Sequence, residues 1–163
     1  MATTGLWKVT SRLDKVIEYV SDAEKTHNEE FLKSLHNVID YAKADYKTEK
    51  QYYVSSLNCG VETAFEEMIQ TKKGYNKVNG ILGYHGFQSF KEGEVTPELA
   101  HEIGVRLAEE MWGDRFEVII STHLNTNHIH NHFVLNSVSF RNGKKYYDKR
   151  ETQAELRHIS DSL

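Results

Sequence analysis

Four histidines lie within ten residues, in the segment that runs from residue 121 to residue 136. They are His123, His128, His130 and His132, and the whole chain has nine histidines among its 163 residues. The last three are two positions apart, so a β-strand would place their rings on one face with neighbouring Cα atoms about 6.6 Å apart. Neutral imidazoles that converge in this way suit a divalent metal. The spacing therefore predicts a metal centre with coordination positions left for a substrate or water.

The predicted histidine strand has two different faces. One face carries His128, His130, His132, Val134 and Asn136, and the other carries Ile129, Asn131, Phe133, Leu135 and Ser137. This alternation predicts that the apolar face packs on helices while the histidine face opens to a site. His123 ends the preceding predicted strand and can reach the same point. On spacing alone, a zinc hydrolase site, a copper site and a set of surface histidines without metal are alternatives.

Composition is typical of one soluble domain with its own core, and it limits the class of protein. A single cysteine, Cys59, excludes a disulfide framework and fits a reducing compartment. No apolar run is long enough to predict a transmembrane helix or a secretory signal. The net charge of −4 is unusual for a nucleic-acid binder, but basic residues cluster locally at Lys72, Lys73 and Lys77, and in the segment 141–150.

The elements that must position these residues can be predicted from periodicity and from capping and turn signals. Strands are predicted over residues 6–9, 52–57, 81–90, 116–123, 128–140 and 145–148, and helices over 11–21, 29–44, 62–73, 96–112 and 151–163. Thr96 and Pro97 form a strong helix start, and Asn142-Gly143 predicts a type I′ hairpin turn. This mixture predicts an α+β domain with a mainly antiparallel sheet. Because the chain ends inside a predicted helix, we expect residues 1–163 to be the N-terminal domain of a longer protein.

One tyrosine of the first predicted helix lies away from its apolar stripe. Tyr19 is well to one side of the stripe at about 100° per residue, which predicts a partly exposed side chain. A similar Val-Ile-x-Tyr sequence recurs later and ends at Tyr41, and helical geometry does not distinguish the two tyrosines.

Three segments of the chain together resemble the motifs of the relaxases. The residues from His123 to Asn136 resemble the third relaxase motif, those from Leu13 to Thr26 the first, and Gly83 to Phe90 the second. The residues from Tyr52 to Cys59 resemble the segment that follows the first motif, and all occur in the family's order. The similarity is to the MobA/VirD-like branch, the MOBP class of conjugative relaxases within the HUH endonuclease superfamily.

The resemblance implies roles for individual residues. It implies His123, His130 and His132 as metal ligands and Tyr19 as the nucleophile, with Tyr41 as the alternative. His128 and Asn136 are then neighbours of the metal or alternate ligands. Asn125 stands where the family commonly has an aspartate, which would orient a ligand histidine.

The expected DNA contacts come partly from the resemblance and partly from charge. Ser89 occupies the position of the serine that helps the family hold DNA. His85, on the same predicted face, is either a phosphate contact or a structural histidine. Basic side chains of the segment 141–150 can follow the DNA backbone: Arg141, Lys144, Lys145, Lys149 and Arg150. Tyr146 and Tyr147 can stack on bases.

The resemblance further implies a fold, a reaction and partners. The fold is a central antiparallel sheet of about five strands with flanking helices, a ferredoxin-like palm with the histidine strand in its centre. The reaction is strand-specific nicking at an origin of transfer, with Mg²⁺ or Mn²⁺, or else Zn²⁺, and a 5′-phosphotyrosyl intermediate. Its partners are single-stranded origin DNA, accessory relaxosome proteins and a coupling ATPase in the bacterial cytoplasm. The alternatives are a metal-dependent hydrolase that uses water and an inactive metal-stabilised DNA-binding module.

Overall fold

The strands and helices alternate along the chain much as their periodicity predicts. The computed structural model describes residues 2–21, 53–124 and 128–163. Its elements are β1 (Thr3–Val9), α1 (Leu13–Ser21), β2 (Val54–Leu57), α2 (Ala64–Gly74), β3 (Gly83–Ser89), α3 (Pro97–Trp112), β4 (Val118–His123), β5 (His130–Asn136) and α4 (Arg150–Ser162). The helix predicted over 29–44 lies outside the described residues. In the part of the chain that is described, no helix is both long and apolar enough to cross a membrane.

All five strands belong to one antiparallel sheet with the order β1-β3-β5-β4-β2. The histidine strand β5 is therefore central, as expected, and the predicted α+β fold is confirmed. Its register places His130 between Ser89 of β3 and His123 of β4. His132 lies between Phe87 and Ser121. Because directly opposite residues share a face of the sheet, all of these side chains point to the same side.

Both faces of the sheet are covered by helices. On one face, α3 and α4 pack through Trp112 and Leu156 on Phe133 of β5 and its neighbours. On the other, α1 and α2 pack through Ile17 and Met68 on Val134. The histidine-bearing face is thus covered by α1 and α2 in its lower half, towards Val134 and Asn136, and carries His130 and His132 in its upper half. Val134 continues the histidine row and needs an apolar partner, so only the upper half is left for a site.

The segment after β5 differs from its prediction. The strand begins at His130 rather than residue 128 and ends at Asn136, and the returning segment makes only an isolated bridge between Val138 and Lys145. The turn has four residues between Ser139 and Lys144, and Gly143 but not Asn142 has positive φ, so it is not type I′. Side chains from the α2 end hold this wider loop: Tyr75 Oη donates to Phe140 O at 3.1 Å, and Lys77 Nζ donates to Gly143 O.

Helix α3 begins where its capping residues predict. Thr96 has an extended backbone, and its Oγ1 accepts a hydrogen bond from Leu99 N at 3.2 Å, while Pro97 occupies the first turn. The side chain satisfies one of the unpaired N–H groups that every helix start exposes.

A buried polar cluster joins α2 to the lower end of the sheet. Lys72 Nζ donates to Asn136 Oδ1, and Asn136 Nδ2 donates to Glu117 Oε1 at 2.9 Å. All three residues are almost entirely buried. Burial lowers the pKa of Lys72 to about 8 and raises the pKa of Glu117, since both charged forms lose hydration.

We expect the free energy of unfolding to rise with pH above about 8 because of Lys72. Folded Lys72 releases its proton near pH 8, whereas an unfolded lysine holds it to about 10.5. The unfolded state therefore binds more protons in this window, and raising the pH stabilises the fold by about 1–3 kcal/mol. Urea unfolding at pH 7.5 and 9.5 measures the rise, which Lys72→Met should remove and the exposed neighbour variant Lys73→Met should keep. If the free energy of unfolding rises equally in Lys72→Met, groups other than Lys72 cause the rise.

Candidate metal centre

Three of the four clustered histidines converge at the upper end of β4 and β5. One ring nitrogen from each of His123, His130 and His132 lies within 4.8 Å of the others. The ring centroid of His132 is 4.3 Å from that of His123 and 4.8 Å from that of His130. His123 and His132 are buried and His130 is half-buried. Three imidazoles from two adjacent strands therefore present their nitrogens to one point.

Each of the three rings is oriented by a hydrogen bond through one nitrogen. His123 Nε2 lies 2.6 Å from Val20 O, and His130 Nδ1 lies 3.0 Å from His128 O. His132 Nδ1 lies 2.9 Å from His85 Nε2. Metal-binding histidines characteristically use the second nitrogen in this way, which sets the tautomer and directs the other nitrogen to the ion. The residues thus fit a divalent metal bound through His123 Nδ1, His130 Nε2 and His132 Nε2.

His85 lies behind His132 on β3. Its ring centroid is 5.1 Å from that of His132, and only 8% of the residue is exposed. Burial lowers the pKa of His85 to about 4, so the ring is neutral at pH 7 and able to accept the N–H of His132. Of the two predicted roles, this placement favours the structural one.

Tyr19 lies beside the three histidines because the end of α1 is attached to β4. Val20 O, at the end of α1, accepts a hydrogen bond from Ser121 Oγ at 2.5 Å and also lies 2.6 Å from His123 Nε2. The Tyr19 ring centroid is 5.8 Å from that of His132 and 6.0 Å from that of His123. Tyr19 is half-buried, as its position off the apolar stripe predicts. Tyr41 lies outside the described residues.

The sequence that forms this site matches a known protein family. Residues 22–163 match the family model described as Relaxase: MobA/VirD2-like, nuclease domain. The chain belongs to this relaxase family. The matched range includes the three histidines and His85, but begins after Tyr19.

Two kinds of relative support the family assignment. A protein from Staphylococcus aureus named Protein rlx is 37% identical over 131 residues, which are 80% of this chain and 39% of that protein. A second Staphylococcus aureus Protein rlx is 34% identical over 131 residues. The group II intron-interrupted relaxase LtrB of Lactococcus lactis subsp. cremoris is 33% identical over 143 residues, which are 82% of this chain and 24% of LtrB. The chain thus spans about two fifths of the rlx proteins and a quarter of LtrB.

The other site residues predicted for this relaxase domain occupy different places. Ser89 is half-buried and lies opposite His130 in the sheet register. His128 is exposed, its Nδ1 lies 3.1 Å from Phe90 O, and it is not part of the three-histidine group. Asn136 keeps the predicted face but lies at the far end of β5, where Lys72 and Glu117 bind its amide. Asn125 lies outside the described residues.

A buried hydrogen-bond network supports the ligand strands from the other face of the sheet. Asn131, between two ligand histidines, accepts from Thr122 Oγ1 at 2.5 Å and donates to Gln88 Oε1 at 3.0 Å. Thr122 Oγ1 lies 2.8 Å from His101 Nδ1, and Gln88 donates to Ser160 of α4. Sequence reasoning assigned His101 no role. The available signal was that Thr122 and Asn131 are polar residues at positions facing the apolar core, next to the ligands.

The predicted basic contacts lie at the opposite end of the sheet from the histidines. Lys144, Lys145, Lys149 and Arg150 are exposed and follow the lower end of β5, whose length from His130 to Asn136 is about 20 Å. Tyr147 is 72% exposed, with Lys149 Nζ 4.8 Å from its ring centroid. Tyr146 instead packs on Tyr84 and Phe116, and burial raises its pKa, so it is a core residue.

Proposed function

We propose that this relaxase domain nicks one strand of DNA at an origin of transfer by tyrosine transesterification. The observation that carries the proposal is the position of Tyr19, with its ring 5.8–6.5 Å from those of His132, His123 and His85. In this reaction Tyr19 Oη attacks the scissile phosphorus and loses its proton. The bond from phosphorus to the 3′ oxygen breaks, and that oxygen is released as a 3′-OH. The new 5′-phosphotyrosyl bond conserves the energy for a later religation.

The three histidines would support this reaction by holding a cation beside the tyrosine. A divalent metal, Mg²⁺ or Mn²⁺ or else Zn²⁺, would polarise the scissile phosphate and offset its charge when held by His123, His130 and His132. His85 and the carbonyl of Val20 hold two of these imidazoles in the required tautomer. Ser89 lies on the same face opposite His130, from where its hydroxyl can donate to a DNA phosphate.

Two alternatives predict different products from the same site. A hydrolase that activates a water molecule would cut DNA without a covalent intermediate, and an inactive module would bind without cutting. Incubation of the chain with a random library of single-stranded oligonucleotides and Mn²⁺, followed by denaturing gel electrophoresis, separates the three. We expect a covalent adduct whose sequenced DNA identifies the cleavage site. Cut DNA without adduct would favour the hydrolase, and intact DNA from every library member would favour the module.

We further propose that Lys73 and Lys77 form one DNA-backbone surface with the basic side chains of the segment 141–150 at the lower end of the sheet, whereas the buried Lys72 takes no part. The loop after β5 and the end of α2 are joined by the contacts of Tyr75 with Phe140 and of Lys77 with Gly143. A cavity of about 380 Å³ in this surface is lined by basic and aromatic side chains, among them Arg115, Lys144, Lys145, Tyr147 and Lys149. Its distance from the histidines implies a contact with nucleotides remote from the nick.

The double variant Lys144→Gln, Lys145→Gln should weaken binding of long oligonucleotides more than short ones. Each nucleotide extends a strand by at least about 3.4 Å, so a strand of about 4 nucleotides centred on the nick does not reach the lower end of the sheet, whereas one of about 30 nucleotides does. For the longer strand, we expect the slope of log affinity against log salt to fall by about 1.4, about 0.7 for each lost phosphate contact. Fluorescence anisotropy measures both lengths.

The control for this charge removal is Arg106→Gln, which takes one positive charge from an exposed position on α3. Its effect on both strand lengths should be small. Equal weakening of the long and short strands by the lysine variant would contradict a remote surface. We also propose, from the family resemblance, accessory relaxosome proteins and a coupling ATPase as partners.

A further inference from the structure

An exposed tryptophan lies next to the metal centre without belonging to it. Trp7 of β1 is 46% exposed, although its neighbours Leu6 and Val9 on the same strand are buried. It lies directly opposite His85 in the register of β1 and β3, and therefore on the histidine-bearing face of the sheet. β1 is an edge strand, so the indole lies at the border of the sheet rather than over its middle.

Trp7 forms an aromatic shelf with Phe87 of β3. The two ring centroids are 5.9 Å apart, and Phe87 is half-buried. Gly5 allows the phenyl ring to lie against the backbone of β1, because a Cβ at this position would be 2.4 Å from Phe87 Cε1. We call Trp7 and Phe87 together the aromatic shelf. The two residues belong to neighbouring β1–β3 pairs on the same face, Trp7 with His85 and Gly5 with Phe87, at the edge of the sheet.

The aromatic shelf is linked to the metal centre through His85. The Trp7 indole is 4.6 Å from the His85 ring, which in turn is bonded to His132. The Tyr19 ring is 6.5 Å from the same His85 ring. Because both rings lie near His85, a base next to a phosphate held at Tyr19 would lie within reach of the aromatic shelf.

We infer that the aromatic shelf stacks a base of the single strand that this site cuts. The inference rests on the proposed function, because the proposed nicking brings a single strand to this site. It adds which residues bind the base beside the nick. Every base offers a π face, so aromatic side chains bind single strands with little dependence on sequence. An indole left half-exposed beside a phosphate-binding centre has the flat, apolar surface that this contact needs. The shelf positions the strand, while the histidines and Tyr19 act on its phosphate.

Intrinsic fluorescence tests the inference, because the chain has two tryptophans. Trp7 is 46% exposed, whereas Trp112 is fully buried in the core and should not respond to DNA. We expect a 12-nucleotide oligothymidylate, added in EDTA so that no cleavage occurs, to quench the Trp7 emission. An abasic oligonucleotide of the same length, which keeps the phosphates but has no bases, should leave the emission nearly unchanged.

Two substitutions at Trp7 complete the test. Trp7→Phe leaves only the Trp112 emission, which should not change on DNA addition, and should keep the affinity for oligothymidylate within a few-fold. Trp7→Ala should lower that affinity by about 5- to 100-fold while hardly changing the affinity for the abasic strand. Circular dichroism and the unchanged Trp112 emission verify that both variants are folded.

Three results would overturn the inference: equal quenching by the abasic strand, no quenching by oligothymidylate, or wild-type affinity in Trp7→Ala. These readouts need neither metal nor cleavage. If the chain fails to form a covalent adduct but Trp7 is still quenched, the transesterification proposal fails and the aromatic shelf stands. If Trp7→Ala forms the covalent adduct at the wild-type rate and binds oligothymidylate with wild-type affinity, the aromatic-shelf inference fails and the transesterification proposal stands.

Discussion

Tyr19→Phe is expected to abolish covalent attachment to single-stranded DNA while leaving the affinity for uncut DNA nearly unchanged. The substitution removes only the hydroxyl oxygen that would attack phosphorus, and the ring still fills its place beside His123 and His132. Loss of a nucleophile typically lowers the rate by about 10³-fold or more. The adduct yield on a denaturing gel measures covalent attachment, and a binding isotherm in EDTA measures the affinity for uncut DNA.

The matched control is Tyr147→Phe, which loses the same hydroxyl from a tyrosine that is 72% exposed at the other end of the sheet. On a strand too short to reach the lower end of the sheet, it should form the adduct at the wild-type rate. Tyr41→Phe tests the alternative nucleophile from the repeated Val-Ile-x-Tyr sequence. An adduct that persists in Tyr19→Phe and disappears in Tyr41→Phe would transfer the role to Tyr41. Cleavage that continues in both variants without an adduct would favour attack by water.

His132→Ala is expected to remove metal binding and, with it, DNA cleavage. His132 is the central ring of the group: its centroid is 4.3 Å from that of His123 and 4.8 Å from that of His130, and its Nδ1–H donates a hydrogen bond to His85 Nε2. Its loss leaves two imidazoles, so we expect the affinity for Mn²⁺ to fall by at least about 100-fold, beyond the 10–100-fold typical of losing an outer-shell partner. Isothermal titration calorimetry of the metal-stripped chain measures this without any DNA.

His128→Ala is the discriminating control for the metal centre. The residue belongs to the same histidine run but is exposed and outside the converging group, so its affinity for Mn²⁺ should stay within about threefold of wild type. In the wild-type chain EDTA should stop cleavage and Mn²⁺ should restore it, whereas Mn²⁺ should not rescue His132→Ala. Cleavage that continues in chelator would refute the metal requirement, and an equal loss in both variants would make His128 a ligand.

Much of the fold was predictable because its signals are local. The alternation along β5 correctly separates His130 and His132 from Asn131 and Phe133, since the side-chain period of a strand is two. The start of α3 was predictable from Thr96 and Pro97 for the same reason, as a cap acts within one turn. The hairpin after β5 was not, because Tyr75 and Lys77 hold its loop from more than 60 positions away.

The sequence by itself determined the histidine spacing, the faces of the strands and a motif order that identifies the family. Tertiary structure alone decided which histidines meet, because convergence depends on the register between β4 and β5. It also decided that His85 orients His132 from 47 positions away, and that Val20 holds His123 from 103 positions away. Periodicity describes neighbours along a strand, but a site is assembled by hydrogen bonds and packing between segments that the chain order keeps apart.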